Sequence, residues 1–236
     1  MALYDPVLQV THVGASHAGE TRTKKQELGR ISTAPSGGTE VTPMKKLVLA
    51  SSSPRRRELL EQIGVSFDVE VADVDETPLA GESPQDYVSR LALAKARKVA
   101  QNSDRPCLGS DTSVVLNGKI FGKPVNVEDA RAMLNQLSDC EHEVLSAVAI
   151  VQRTPDGERS AVKQVSTQVR FAKLSAAQID AYIATGEPAD KAGAYGIQGK
   201  GAVFVTGIQG SYSNVVGLPL FETTELLTQF DIPYWQ

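Results

Sequence analysis

From residue 47 onward, short apolar runs alternate with stretches of helical apolar spacing that open on a capping residue or a proline. This alternation restricts the fold more than any other feature of the sequence. Residues 47–50 predict a buried strand, and Ser51-Ser52-Ser53-Pro54 leads from it into RRRELLEQIG. With Ser53 as N-cap, Pro54 in the first turn and Gly64 past the end, this is a short helix with Leu59, Leu60 and Ile63 inward. Residues 65–72 predict a strand, and Ser83-Pro84-Gln85-Asp86 a capping box opening a longer helix to about Gln101. A strand over 108–116, an Asn117-Gly118 turn and a strand over 119–121 predict a hairpin. Asn126 caps a helix carrying Ala130, Met133, Leu134 and Leu137, and residues 142–152 and 161–171 predict paired strands. Ser175 caps a helix ending at Gly186, residues 202–208 predict a strand, and a last helix starts near Pro219. Hairpins among alternating strands and helices, with no internal repeat, imply an α/β fold on a mixed rather than purely parallel sheet.

Residues 1–43 lack this patterning. They are rich in Gly, Ser, Thr and Lys, and are expected to be a disordered N-terminal extension, because such a segment buries too little apolar surface to offset its ordering entropy. His12 and His17 fall there as part of a solvated tail. Met44 is the expected start of the domain, which then spans 44–236. With 24 basic against 28 acidic residues the net charge is −4, which gives no field for a nucleic-acid polymer. The two cysteines, Cys107 and Cys140, form no cluster with His at metal-ligand spacing, so an intracellular protein without a disulfide framework is expected. No apolar run reaches the roughly 18 residues of a membrane span, and no secretory signal opens the chain. A cytoplasmic protein without membrane partners is the expectation.

Several residues sit where their type needs a reason. Arg55, Arg56 and Arg57 occupy the first turn of a helix, whose dipole favours acidic residues there. Orphan N–H groups, guanidinium forks and the hydroxyls of residues 51–53 together suit a phosphate, against the alternative of three solvated arginines. No Walker motif occurs. Tyr87, Leu91 and Lys95 share one face of the second helix, so Lys95 lies on its apolar stripe, either snorkelling at the core edge or held to meet a phosphate. Asp111 follows Gly109 within an apolar strand, as general base, metal ligand or strand-end cap. The acidic run Asp73-Val74-Asp75-Glu76 can offer oxygen ligands to Mg²⁺ or be a solvated loop. Gly122-Lys123-Pro124 adds a lysine after the hairpin. Glycines at 193, 196, 199 and 201 flank Gln198, whose amide can read a base edge if the loop is more than a structural turn. His142 has no Ser or Cys partner suggesting a hydrolase triad, and both cysteines are expected to pack as small hydrophobes.

LASSSPRRRELL, DVDET, RLALAKA, GSDTSVVLNGKIFGKP, DKAGAYGIQGKGAVFV and GSYSNVVGLPL, in this order and spacing, resemble the Maf family of nucleoside triphosphate pyrophosphatases. The resemblance runs from Leu47 to the final helix and leaves out residues 1–43. It implies an elongated mixed α/β fold, related to inosine triphosphate pyrophosphatases, with a deep cleft between two lobes. It implies hydrolysis between the α and β phosphates with a divalent metal, Mg²⁺ or Mn²⁺, and a family that includes proteins linked to septum inhibition. By position, Asp111 matches the proton acceptor, and Arg55, Thr112 and Gln198 match base-specificity positions. Arg56, Glu76, Lys95, Lys123 and Lys191 match polar cleft positions, with Ser51 among the substrate-binding residues and Glu76 and Asp111 as metal ligands. SPRR, SDT and IQG resemble the dTTP and UTP branch rather than the 7-methyl-GTP branch, whose motifs look like SPWR, SDQ and a loop glutamate. One departure is Ser138-Asp139-Cys140-Glu141, where a glycine-containing turn is usual.

The expected activity is therefore release of pyrophosphate from dTTP and UTP. A 7-methyl-GTP or inosine-type pyrophosphatase, or a non-catalytic nucleotide-binding regulator of septum formation, are the alternatives. The expected partner is a nucleoside triphosphate, and a homodimer is left open.

Overall fold

The structure is a computed structural model and describes residues 46–235. The expectations for residues 1–43, and for Met44 as domain start, lie outside the described residues.

In chain order the strands are β1 (Leu47–Leu49), β2 (Phe67–Val69), β3 (Cys107–Leu116), β4 (Lys119–Phe121), β5 (Glu141–Thr154), β6 (Gly157–Phe171) and β7 (Val205–Gln209). The helices are α1 (Pro54–Gln62), α2 (Pro84–Ala100), α3 (Val127–Leu137), α4 (Ala176–Ile183), α5 (Tyr212–Val216) and α6 (Leu220–Gln229). One mixed sheet has the order β2-β1-β3-β5-β6-β7, with β4 paired to β3. β2, β1 and β3 are parallel, while the pairs from β3 through β7 are antiparallel. Helices cover both faces. The apolar stripe of α2 (Val88, Leu91, Ala92) packs with Val115, Leu145, Ala147 and Ala149. Side chains of α1, α3, α4 and α6 form the larger core with Leu47, Leu49, Leu108, Val148 and Ile150. β5, covered on both sides, is buried almost throughout, hence its unbroken apolar run. Among the described residues no helix is long and apolar enough to cross a membrane.

Local chemistry explains most boundaries. Ser83 accepts from Asp86 N and Asn126 from Asp129 N, and Ser175 forms a complete capping box with Gln178. Asn117 (φ 51°) and Gly118 (φ 76°) give the left-handed pair that closes a tight hairpin.

Five expectations need correction. Ser83 and Asp86 lack the reciprocal backbone bond of a capping box; the Ser83 hydroxyl donates to the Asp86 carboxylate instead. Ser53 precedes α1 without a side-chain cap bond, and its own N–H donates to Ser51 Oγ at 3.2 Å. The strand expected over 65–72 is only Phe67–Val69, because Val65 turns into the core while Val71 and Ala72 line the cleft. The strand expected over 202–208 begins at Val205. Before it the chain makes a tight helical turn, Lys200–Phe204, whose first N–H groups are held by Glu187 rather than by a neighbouring strand. α5 was not expected; at five residues it is too short to show an apolar period. The turn without glycine is closed by Asp139 in the left-handed region (φ 58°), which Asp tolerates better than most residues.

Candidate active site

β1 is the centre of the parallel part of the sheet: α1 leads from it to β2 on one side, and α2 then returns the chain to β3 on the other. Helices diverging to opposite faces leave a crevice at the carboxyl end of β1, the place where open α/β sheets bind ligands. A cleft of about 540 Å³ lies there, lined by the loop after β1, the start of α1, β3, and the glycine-rich segment from Asp190 to Gly199. Ser51, Arg55, Arg56, Glu76, Lys95, Asp111, Thr112, Lys123, Lys191 and Gln198 all line it. Residues separated by up to most of the domain in sequence thus meet in one cavity.

At its floor is a three-charge cluster. Lys95 on α2 and Asp111 on β3 face each other where helix and sheet touch, and Lys95 Nζ donates to Asp111 Oδ1 at 2.7 Å and lies 2.7 Å from Glu76 Oε1. The lysine is therefore not snorkelling: its ammonium is buried and shared by two carboxylates. A buried ion pair of this kind adds little to stability, since desolvation offsets the Coulomb attraction. Tyr87, two turns earlier on the same face of α2, holds the Glu76 segment by donating its hydroxyl to the Glu76 carbonyl at 2.9 Å. Burial, reinforced by Asp111 and Glu76, pushes the Tyr87 phenol up to about 12, so it stays a donor.

The wall beside this cluster is built on Arg56. Its guanidinium donates to the Gly217 carbonyl at 2.9 Å, to Ser51 Oγ at 3.1 Å and to Thr112 Oγ1 at 3.3 Å. Burial lowers Arg56 from its ordinary value; Asp111 works against that and Arg55 with it. Thr112 is itself fixed by Ser146 Oγ at 2.9 Å. Ser146 donates to the Asn214 carbonyl, so α5 braces the wall from behind. Arg55 points across the mouth to Asp190 at 3.6 Å, whereas Arg57 is exposed. Only two of the three arginines thus reach the cavity, because successive residues on a helix step around its axis by about 100°. Of the acidic run only Glu76 joins the charge cluster; Asp75 caps the N–H of Thr77 instead. Lys123 and Gln198 are exposed at the rim, and Lys191 Nζ is held by Asp190 Oδ1 and the Glu187 carbonyl.

His142 is no catalytic base here. It is buried against Phe171 and pairs with the Tyr195 hydroxyl at 2.9 Å, and burial pushes its imidazole down to about 4. Cys107 is buried, its thiol pushed up to about 11, and Cys140 is free. Sequence reasoning missed the Gly217 carbonyl, Asp190 and Glu187. The first is a backbone atom with no side-chain signal, and the other two are acidic residues in a turn that looks solvated in one dimension.

Glu76 and Asp111 are the two carboxylates on the floor of this cleft that could contribute to holding a divalent cation. Both converge on one positive charge, the Lys95 ammonium, which lies 2.7 Å from each. Among the described residues no group of three or more His, Cys, Asp and Glu side chains is placed to hold a metal. Two carboxylates, with water and phosphate oxygens completing the shell, are the usual protein share of an Mg²⁺ site at a nucleotide.

Residues 46–230 match the family described as Maf-like protein. The dTTP/UTP pyrophosphatase of Anaeromyxobacter dehalogenans (strain 2CP-C) is 52% identical over 193 residues, covering 81% of this chain and 98% of that protein. That of Anaeromyxobacter sp. (strain Fw109-5) is 55% identical over 191 residues, covering 80% and 91%. That of Symbiobacterium thermophilum is 50% identical over 191 residues, covering 80% and 96%. A solved structure of a HAM1 protein from Coxiella burnetii is 19% identical with a TM-score of 0.47, covering 79% of this chain and 100% of that chain. With the match spanning nearly the whole described domain and the cleft residues all inside it, the chain belongs to the Maf family.

Proposed function

We propose that this protein hydrolyses dTTP and UTP between the α and β phosphates, releasing the nucleoside monophosphate and pyrophosphate. The observation that carries the reading is the convergence of Asp111, Glu76, Lys95 and Arg56 on one cleft in a chain about half identical to dTTP/UTP pyrophosphatases over their full domains.

The polyphosphate lies along the polar floor and wall. Arg56, Lys95 and Lys123 neutralise its charge, and Ser51 together with the first N–H groups of α1 adds donors. Asp111 orients the attacking water and takes its proton on Oδ2, Oδ1 remaining on Lys95. Attack in line on the α-phosphorus breaks the bond to the bridging oxygen, and pyrophosphate leaves with the bond's electron pair. Glu76, with Asp111 beside it, would hold a divalent cation, Mg²⁺ or Mn²⁺, which would supply charge neutralisation to the phosphates.

Gln198 at the rim, Arg55 at the mouth and Thr112 in the wall set base choice. A glutamine amide can donate to a pyrimidine carbonyl and accept from N3–H at once, whereas a carboxylate only accepts. The decisive experiment is pyrophosphate release with dTTP, UTP, CTP, ITP and 7-methyl-GTP in the presence of Mg²⁺ or Mn²⁺. Preference for dTTP and UTP is expected. Preference for ITP or 7-methyl-GTP would overturn the base assignment, and nucleotide binding without turnover would overturn the catalytic one.

A further inference from the structure

A glycine-rich loop before a strand invites the idea that its backbone cradles a phosphate, but the N–H groups of Gly196, Gly199, Lys200 and Gly201 are already taken within the protein. Glu187, on the turn after α4, accepts from Lys200 N at 2.8 Å, from Gly201 N at 3.0 Å and from the Tyr182 hydroxyl at 2.8 Å. Tyr182 in turn accepts from Gly196 N at 3.1 Å. The glycines are the clearance for this grip. A Cβ on Gly199 would lie 2.4 Å from Glu187 Oε2, one on Gly201 2.8 Å from the Tyr182 hydroxyl, and one on Gly196 2.7 Å from Lys191 Cε. Glu187 is only partly exposed, and the segment it holds carries Gln198 at the cleft rim. On the other side, its own carbonyl takes Lys191 Nζ at 2.8 Å, which ties the turn to Asp190 and so to Arg55 across the mouth.

We propose that Glu187 is a positioning residue for base recognition: its carboxylate occupies the anion cradle of the glycine-rich loop and thereby fixes Gln198 against the base. The loop then serves the base end of the substrate, and the phosphates are left to the opposite wall. This rests on the pyrimidine reading above. The carboxylate never touches the substrate, so its loss acts on base discrimination and KM through Gln198, while the chemistry at Asp111 keeps its geometry.

The test compares wild type, E187Q, Q198A and the double variant in the full chain, by pyrophosphate release from dTTP and CTP, with thermal melting as a fold control. In E187Q an amide NH₂ faces N–H donors, which breaks at least one of the two backbone bonds. We expect kcat/KM for dTTP to fall about ten- to a hundredfold, mostly in KM, with kcat within about threefold and the preference for dTTP over CTP reduced about tenfold. Because Glu187 acts through Gln198, the double variant is expected within about threefold of Q198A. Additive losses, or equal falls in kcat and kcat/KM on both nucleotides with a lowered melting point, would show a merely structural carboxylate and overturn the proposal. Should wild type not turn over dTTP, the proposed function falls. The grip is then read by amide exchange at Lys200 and Gly201, where protection unchanged in E187Q overturns it and faster exchange upholds the loop-fixing half.

Discussion

Replacing Gly109 by alanine tests how α2 and β3 deliver the charge cluster. Gly109 sits where the helix crosses the strand, and a Cβ there would lie 2.2 Å from the Ala92 carbonyl oxygen, 2.6 Å from Ala96 N and 3.1 Å from Ala96 Cβ. The two closest atoms are helix backbone, which cannot rotate away, so α2 must lift from the sheet by roughly 1 Å to restore ordinary contact. Lys95 is carried on that stretch of helix and Asp111 lies two residues along the strand. Their 2.7 Å hydrogen bond is drawn toward the limit of hydrogen-bond range. Overpacking of this sort costs about 1–3 kcal/mol, which for a domain of this size lowers Tm by about 2–12 °C. A displacement of about 1 Å between catalytic groups lowers kcat by as much as about 10²-fold. Thermal melting and pyrophosphate release on Gly109→Ala, beside Gly207→Ala as control, measure both. A Cβ at Gly207 meets nothing within 4 Å, so the control is expected to match wild type. A Gly109→Ala protein melting within about 1 °C of wild type and turning over within about threefold would refute the link between helix seating and catalysis.

Asp111→Asn retains shape but loses the proton acceptor and an anionic ligand. We expect turnover to fall at least about 10²-fold with nucleotide binding largely kept, and activity within about threefold of wild type would remove Asp111 from the mechanism. Gln198→Glu places an acceptor against a pyrimidine carbonyl, which costs about 1–3 kcal/mol. kcat/KM for dTTP and UTP should therefore drop about ten- to a hundredfold while guanine nucleotides are spared, and an unchanged preference order would place Gln198 off the base. His142 titrates from about 4 in the fold against an ordinary 6.5, so the unfolded chain binds its proton more readily. Its contribution is complete above about pH 6.5 and lost as pH falls toward 4, by about 2–3 kcal/mol at pH 4.5. Denaturant midpoints for wild type and His142→Gln at pH 7 and 4.5 should diverge accordingly, and parallel pH dependence would contradict it. Deleting residues 1–43, which lie outside the family match, should leave kcat/KM within about tenfold of the full chain. A larger loss in the same pyrophosphate assay would give that segment a part in catalysis.

The sequence by itself determined the elements whose causes are local. Capping by Ser83, Asn126 and Ser175 acts within one helical turn, and the Asn117-Gly118 turn depends on two residues that tolerate positive φ. The apolar stripe of α2 and the long apolar run of β5 are periodic or continuous, and so were legible with their buried faces. Gly109 could be read as a point of close approach, though not what approaches it. The candidate residues were legible as types out of place, such as an arginine run at a helix start, a lysine on an apolar stripe and an aspartate inside a strand. Tertiary structure decided what those oddities do. It sent Arg55 and Arg56 into the cleft and left Arg57 in solvent, and it put Lys95 between two carboxylates from separate segments. It made the start of the segment expected as a strand over 202–208 part of a tight turn, in which Ala202 N bonds the Gly199 carbonyl and the two preceding N–H groups, of Lys200 and Gly201, are held by Glu187, more than ten residues upstream. The physical division is one of range. Propensity, capping and period act over a few residues, whereas a charge buried in a cleft is stable only beside partners that chain topology brings together.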